Sequence, residues 1–182
     1  MNVPRGQLVR SRVVEDVGTV LDRALESDLT GYARLESQES LLLEEGGTVV
    51  VTFEKGIPMA AYHDGTDAGG TEALDAFAGT RPVGVELYAT DPETLAPIHE
   101  AEAVAVPPAL PAERLATDPG LADRIRETAP EERLRTAARE DDEVDAVASF
   151  LDDKARIAQL KSRAREEARE RAERWGFETT DE

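Results

Sequence analysis

The sequence contains no cysteine, which excludes disulfide bonds, thiolate metal sites and cysteine nucleophiles together. Lysine is scarce as well and occurs only at Lys55, Lys154 and Lys161. No apolar run approaches the roughly 18 residues of a membrane span, and the first residues lack the apolar stretch of a signal peptide. We therefore expect a soluble cytoplasmic protein with no membrane partner.

Carboxylates dominate what is present. Asp and Glu number 39 against 21 basic residues, for a net charge of -18. Carboxylates hold water and hydrated cations at a surface that concentrated salt would dehydrate, and screening over roughly 3 Å at 1 M salt removes most of their self-repulsion. This composition resembles that of halophilic proteins. Disorder and a nucleic-acid-mimicking surface are alternatives, but a hydrophobic content of 40% in periodic runs argues against general disorder.

The first part of the chain has the pattern of a small α+β domain. Apolar residues at helical spacing from Val17 to Leu25 predict a helix capped by Asp16. Strand-like runs follow, and they are separated by connections too short for a parallel crossover, so we expect an antiparallel meander. Two further helices are predicted, one capped by Thr71 and one opening at Asp91. The predicted strands cover 32–35, 40–43, 48–53, 57–62 and 83–87, and 8–14 is either a short strand or an arm.

The second part of the chain has the pattern of an all-helical tail. The predicted fold is therefore an α+β domain over 1–105, in which a small antiparallel meander packs with two or three helices, followed by helices only. A proline-rich stretch at 106–111 is interpreted as a linker. Beyond it we expect short helices over 112–140, a long charged amphipathic helix over 141–176 and a disordered tail at 177–182.

Signatures of chemistry are weak throughout. The two histidines, His63 and His99, are 36 residues apart and have no cysteine near them, which does not match a metal site. The glycine-rich loop at 65–70 lacks the ligand spacing of a calcium loop and the lysine of a phosphate cradle. No serine lies in a nucleophile elbow. We expect no catalytic residue, no metal and no cofactor.

Two surfaces remain as candidates for binding. Tyr62, His63 and Asp64 follow a predicted strand and precede a helix, a position where ligand or partner sites are often built. The other surface is the long helix, on which arginines could contact phosphates or a protein partner. Interleaved glutamates at pairing distance and the acidic remainder of the chain make nucleic acid an unfavourable partner. The residues singled out on this helix are Leu160, Arg163, Arg165, Arg169 and Trp175.

Residues 16–88 resemble the PATAN-type domain of bacterial and archaeal signalling proteins. The resemblance rests on Leu29-Thr30-Gly31-Tyr32, on the run from Gly47 through Phe53 to Gly56-Ile57, and on Gly70-Thr71-Glu72-Ala73-Leu74. It implies a non-catalytic interaction module of the kind found beside response-regulator components. The whole chain is also similar to small acidic proteins of halophilic archaea.

The leading functional hypothesis from the sequence is a non-enzymatic protein-interaction or regulatory module, whose partner is another protein or a second copy through a coiled-coil-like helix. Nucleic-acid binding by the arginine-rich helix is one alternative. A small-ligand site or an enzyme at the 62–70 region is another.

Overall fold

A computed structural model describes residues 5–37 and 47–136. The described residues all lie within a compact unit that spans Met1–Ala137. The predicted strand at 40–43, the long helix at 141–176 and the tail at 177–182 lie outside the described residues, as does the end of the short-helix region. The predicted α+β class is confirmed.

The architecture is a six-stranded antiparallel sheet with helices packed on it. The strands lie in the order β1-β6-β2-β3-β4-β5. Residues 131–136 are also helical, and a short 3-10 helix occupies Glu102–Val104. In chain order the elements are β1 Gln7–Val14, α1 Gly18–Glu26, β2 Gly31–Ser37, β3 Thr48–Glu54, β4 Ile57–His63, β5 Ala68–Gly69, α2 Gly70–Phe77, β6 Val83–Ala89, α3 Pro92–His99, α4 Leu110–Leu115 and α5 Pro119–Thr128.

The sheet is only partly a meander. Strands β3 and β4 form the expected hairpin, β2 pairs directly with β3, and β6 returns to lie between β1 and β2 and pairs antiparallel with both. The segment from Gly70 to Pro82, which contains α2, is long enough to make this return. The stretch at 8–14 is consequently a full edge strand.

The sheet buries two unequal faces. Alternate residues of β2, β3 and β6 contribute to one large core together with α1, α2, α4 and α5. The residues between them, such as Val50 and Thr52, point to the other face because successive strand residues alternate. There α3 contributes the fully buried Leu95, and His99 at its end contacts Thr52.

Local sequence explains several turns and caps. Lys55 and Gly56 both have positive φ, which is the two-residue turn preferred in tight hairpins, and Gly56 donates its N–H to Leu29 O at 2.8 Å. Asp91 caps α3 by accepting from Glu93 N at 3.1 Å. The predicted Thr71 cap is wrong, because α2 already begins at Gly70 and has no side-chain cap.

Residues 106–136 differ from the predicted linker and separate tail. Val106 is 2% exposed and donates its N–H to Met59 O at 3.1 Å, so the proline-rich stretch runs along β4. Leu115, Leu121 and Ile125 belong to the same core cluster as the sheet. The prolines of this stretch start helices that continue the domain, and the core ends later than composition suggested.

A partly buried carboxylate ties the two parts together. Asp16 accepts hydrogen bonds from the backbone of Gly18 at 2.8 Å and of Thr117 at 3.2 Å, and also from the Thr117 hydroxyl. Burial by itself raises the pKa of Asp16, but the hydrogen bonds from Thr117 and Gly18 and the charge of Arg81 outweigh it, so the pKa lies below its ordinary value of 3.8.

Candidate functional site

The predicted surface at Tyr62, His63 and Asp64 lies where β4 ends and the turn to β5 begins. The Asp64 carboxylate accepts from the Thr48 N–H, and the Asp64 N–H donates to Thr48 O at 3.1 Å. The Tyr62 hydroxyl donates to Asp67, and this hydrogen bond raises the pKa of Tyr62 above its ordinary value. These two acidic side chains therefore fasten the turn to its own strands.

His63 is the most buried member of this group. It is 7% exposed, and its Nδ1 accepts from the Thr66 N–H at 3.0 Å and lies 2.9 Å from the Thr66 hydroxyl. Because Nδ1 accepts a hydrogen bond within the local turn, its lone pair is already used by the protein itself. The structure thus brings the three predicted residues together and engages polar atoms of each within the turn.

The second predicted surface lies outside the described residues. Nothing in the structure therefore locates the interaction helix. The residues predicted on that helix are Leu160, Arg163, Arg165, Arg169 and Trp175.

A polar cluster that the sequence did not indicate lies under α3. His99 Nε2 is 3.1 Å from the Thr52 hydroxyl, and His99 Nδ1 is 3.8 Å from the Glu54 carboxylate. Burial lowers the pKa of His99 from its ordinary value of 6.5, the Glu54 charge opposes this, and the Arg133 charge adds to it. Residues 52 and 99 are far apart in sequence, so only the docking of α3 reveals this contact.

The order hydroxyl, imidazole, carboxylate is that of a nucleophilic triad, but the arrangement does not fit such chemistry. A nucleophile must reach the substrate, and Thr52 is 0% exposed in a central strand. The cluster is better explained as an anchor for α3, since a buried hydroxyl requires a hydrogen-bond partner.

A cleft of about 400 Å³ lies next to this cluster, between the β3–β4 hairpin and the residues that follow α5. Its apolar lining includes Ile57 and Met59. Its charged lining has both signs, so charge does not select one class of ligand. These charged residues are Asp28, Glu54, Lys55, Glu132 and Arg133.

The edge strand β1 has a different character. Among the described residues, the large apolar side chains that remain exposed are Leu8, Val9 and Val13, at 51%, 58% and 57%. All three lie on β1. Such a concentration on one edge is typical of an interaction surface, because monomeric proteins normally scatter exposed apolar side chains singly.

The two ends of β1 are held firmly in place. At its start, Gly6 donates its N–H to the Tyr32 hydroxyl at 3.3 Å, and Tyr32 stacks on Tyr88 with ring centroids 4.8 Å apart. At its end, Val14 is buried in the main core. β1 is therefore an edge strand that is ordered without a partner. It pairs with β6 from Gln7 to Val14, with one register shift between Leu8 and Arg10.

The opposite edge of the sheet is protected. Strand β5 has only two residues, and another part of the same β4 edge is covered where Ala105 bridges Ala60 and Val106 donates its N–H to Met59 O. Short edge strands and covering segments are the usual means of blocking further strand pairing. Within the described part of the chain, β1 is thus the edge with a long row of backbone groups available.

Other site classes receive no support from the described residues. They contain no cluster of three or more His, Cys, Asp or Glu residues arranged to hold a metal ion. Within the same described ranges, no helix combines the length and the apolar character that a membrane crossing requires.

An α+β domain with one preformed edge strand is the class of protein that this fold defines. The chain belongs to the family described as a domain of unknown function, DUF8572, whose model matches residues 2–177. No curated protein and no solved structure matches the chain.

Proposed function

We propose that this protein is a non-enzymatic protein-interaction module that docks an extended segment of a partner on β1. The observation that carries the proposal is the concentration of exposed apolar side chains on this edge strand. An incoming strand would satisfy the outward backbone groups of β1 and cover Leu8 and Val13, as in other cases of strand addition.

The remaining features are compatible with this role. The acidic composition suits a salt-rich cytoplasm, where screening weakens long-range charge repulsion and leaves recognition to contacts at short range. The resemblance of residues 16–88 to PATAN-type domains also favours an interaction module. The polar atoms of the turn at 62–67 are engaged locally, which weakens the ligand-binding alternative.

Site-specific photocrosslinking tests the proposal. A photoreactive amino acid replaces Val13 in the full chain. The control places it at Glu131, whose side chain is 84% exposed and which lies far from β1 in the sequence. We expect Val13 to yield a protein adduct in cell extract that Glu131 does not, and the purified partner to bind the wild-type chain but not a Val13→Asp variant.

Three results would count against it. Equal adducts from both positions would show that contact at β1 is nonspecific, and a nucleic-acid adduct would favour that alternative class. Binding of the purified partner that survives Val13→Asp would place the interface elsewhere. A homodimeric adduct at Val13, by contrast, would retain the docking edge and identify the partner as a second copy.

A further inference from the structure

The charges of β1 indicate the chemistry of the partner segment, and this inference rests on the proposed docking function. From Arg5 to Val14 the chain has three arginines and no acidic residue, in a protein whose net charge is -18. The docking strand is therefore a basic segment on an acidic protein.

These arginines differ from others of the described chain in lacking ion-pair partners. Among the described residues, no carboxylate lies within 4.0 Å of the guanidinium groups of Arg5, Arg10 and Arg12, although Arg12 donates to the Thr19 hydroxyl at 2.8 Å. Six other arginines within residues 5–37 and 47–136 do form such ion pairs. These are Arg23, Arg34, Arg114, Arg124, Arg126 and Arg135.

The register sorts the arginines onto one face of β1. Directly paired residues of neighbouring strands lie on the same face of a sheet. Arg10 pairs with Leu87 and Arg12 pairs with Val85, and both partners belong to the main core. The two guanidinium groups therefore start from the face that carries α1.

The apolar side chains start from the other face. Leu8 pairs with Tyr88 and Val13 pairs with Gly84, which alternate with the core residues of β6. The register shift between Leu8 and Arg10 places them on this common face although their numbers differ in parity. β1 thus presents a basic face and an apolar face to the same neighbouring strand.

We propose that the segment docked on β1 is an extended acidic peptide of another protein, with Asp or Glu alternating with β-branched residues. Its acidic side chains lie beside Arg10 and Arg12, and its apolar side chains lie beside Leu8 and Val13. The unneutralised arginines supply the charge complementarity. Main-chain hydrogen bonds along the strand supply the part of the affinity that does not depend on the peptide's sequence.

A second copy of this chain is a poorer occupant. In a two-fold antiparallel arrangement about Ser11, Arg10 of each copy would lie opposite Arg12 of the other. Like charges directly opposite each other destabilise a strand pair. The arginines therefore act against self-pairing in the same way that charged residues protect natural sheet edges.

The test is a selection from a display library of random peptides of about twelve residues on the immobilised full chain, followed by binding measurements with the enriched synthetic peptide. We expect enrichment of sequences in which acidic and β-branched residues alternate. The double variant Arg10→Glu with Arg12→Glu should lose at least about tenfold in affinity, and Arg135→Glu, an exposed control, should not.

A second arm uses the wild-type protein only, so it does not depend on the folding of a variant. N-methylation of the peptide's backbone removes one donor at a time. Strand addition predicts that methylation at one alternating set of positions abolishes binding, whereas methylation at the intervening set is tolerated.

The outcomes separate the two proposals. Enrichment of basic or uncharged peptides that still require β1 would overturn the acidic partner but retain the docking strand. Peptides whose binding ignores both the β1 variants and the pattern of N-methylation would overturn the docking function itself, as would a selection that yields no β1-dependent peptide. Self-association of the chain through β1, measured by sedimentation, would replace the acidic peptide by a second copy.

Discussion

Replacing Ile125 by alanine measures whether α5 belongs to the same cooperative core as the sheet. Ile125 is fully buried in the cluster that also contains β2, β3 and β6 residues. Truncating a fully buried isoleucine costs about 2–5 kcal/mol, which is a large share of the roughly 5–15 kcal/mol that stabilises a domain. For a domain of this size the melting temperature should fall by about 4–20 °C.

The assay combines urea unfolding with hydrogen exchange of the backbone amides in the β2–β6 ladder. In a single cooperative unit, the free energy of exchange of the β2–β6 amides falls by the same amount as the free energy of unfolding, although these amides lie far from residue 125 in sequence. The control Glu127→Ala, exposed on the same helix, should change stability by less than about 0.5 kcal/mol. Unchanged protection of the β2–β6 ladder alongside separate melting of α5 would show that α5 lies outside the cooperative core.

Three further predictions concern single contacts. Gly31→Ala should destabilise the protein by at least about 2 kcal/mol in urea unfolding, because its Cβ would lie 1.9 Å from the Tyr88 carbonyl oxygen. Because the pKa of Asp16 in the folded state lies below 3.8, the stability that its ionised carboxylate contributes is complete above that pH and is lost as the pH falls below it. Asp16→Asn should therefore reduce the dependence of stability on pH in this window. Because the folded pKa of His99 lies below 6.5, stability should decline as the pH falls below about 6.5, and His99→Gln should reduce that slope.

Local signals predicted much of the fold. The helical spacing from Val17 and the Asp91 cap each depend on neighbouring residues only, and each is present. The prolines at 111 and 119 lie in the first turns of α4 and α5, a position that proline favours. Such features follow from backbone chemistry that a sequence displays directly.

What failed depends on contacts between distant residues. The position of β6 between β1 and β2 follows from how the strands pair after α2, and the burial of Val106 follows from its bond to Met59. A proline-rich composition looks the same in a free linker and in a stretch that packs along a strand. The domain boundary therefore could not be located from composition.

The candidate site was missed for a similar reason. Leu8, Val9 and Val13 are ordinary strand residues by type, and only the sheet order shows that their strand is an edge. The one signal in the sequence was the run of arginines without acids between Arg5 and Val14, which stands out against the acidic remainder.

Amide hydrogen exchange of β1 in the isolated full chain measures whether this strand is an open edge. An open edge predicts an alternating pattern, in which amides that donate to β6 are protected and those that point outward exchange rapidly. Addition of the selected peptide should slow the rapid set and leave the other unchanged. Uniform protection of every β1 amide in the isolated monomer would contradict the account, because the edge would then already be occupied.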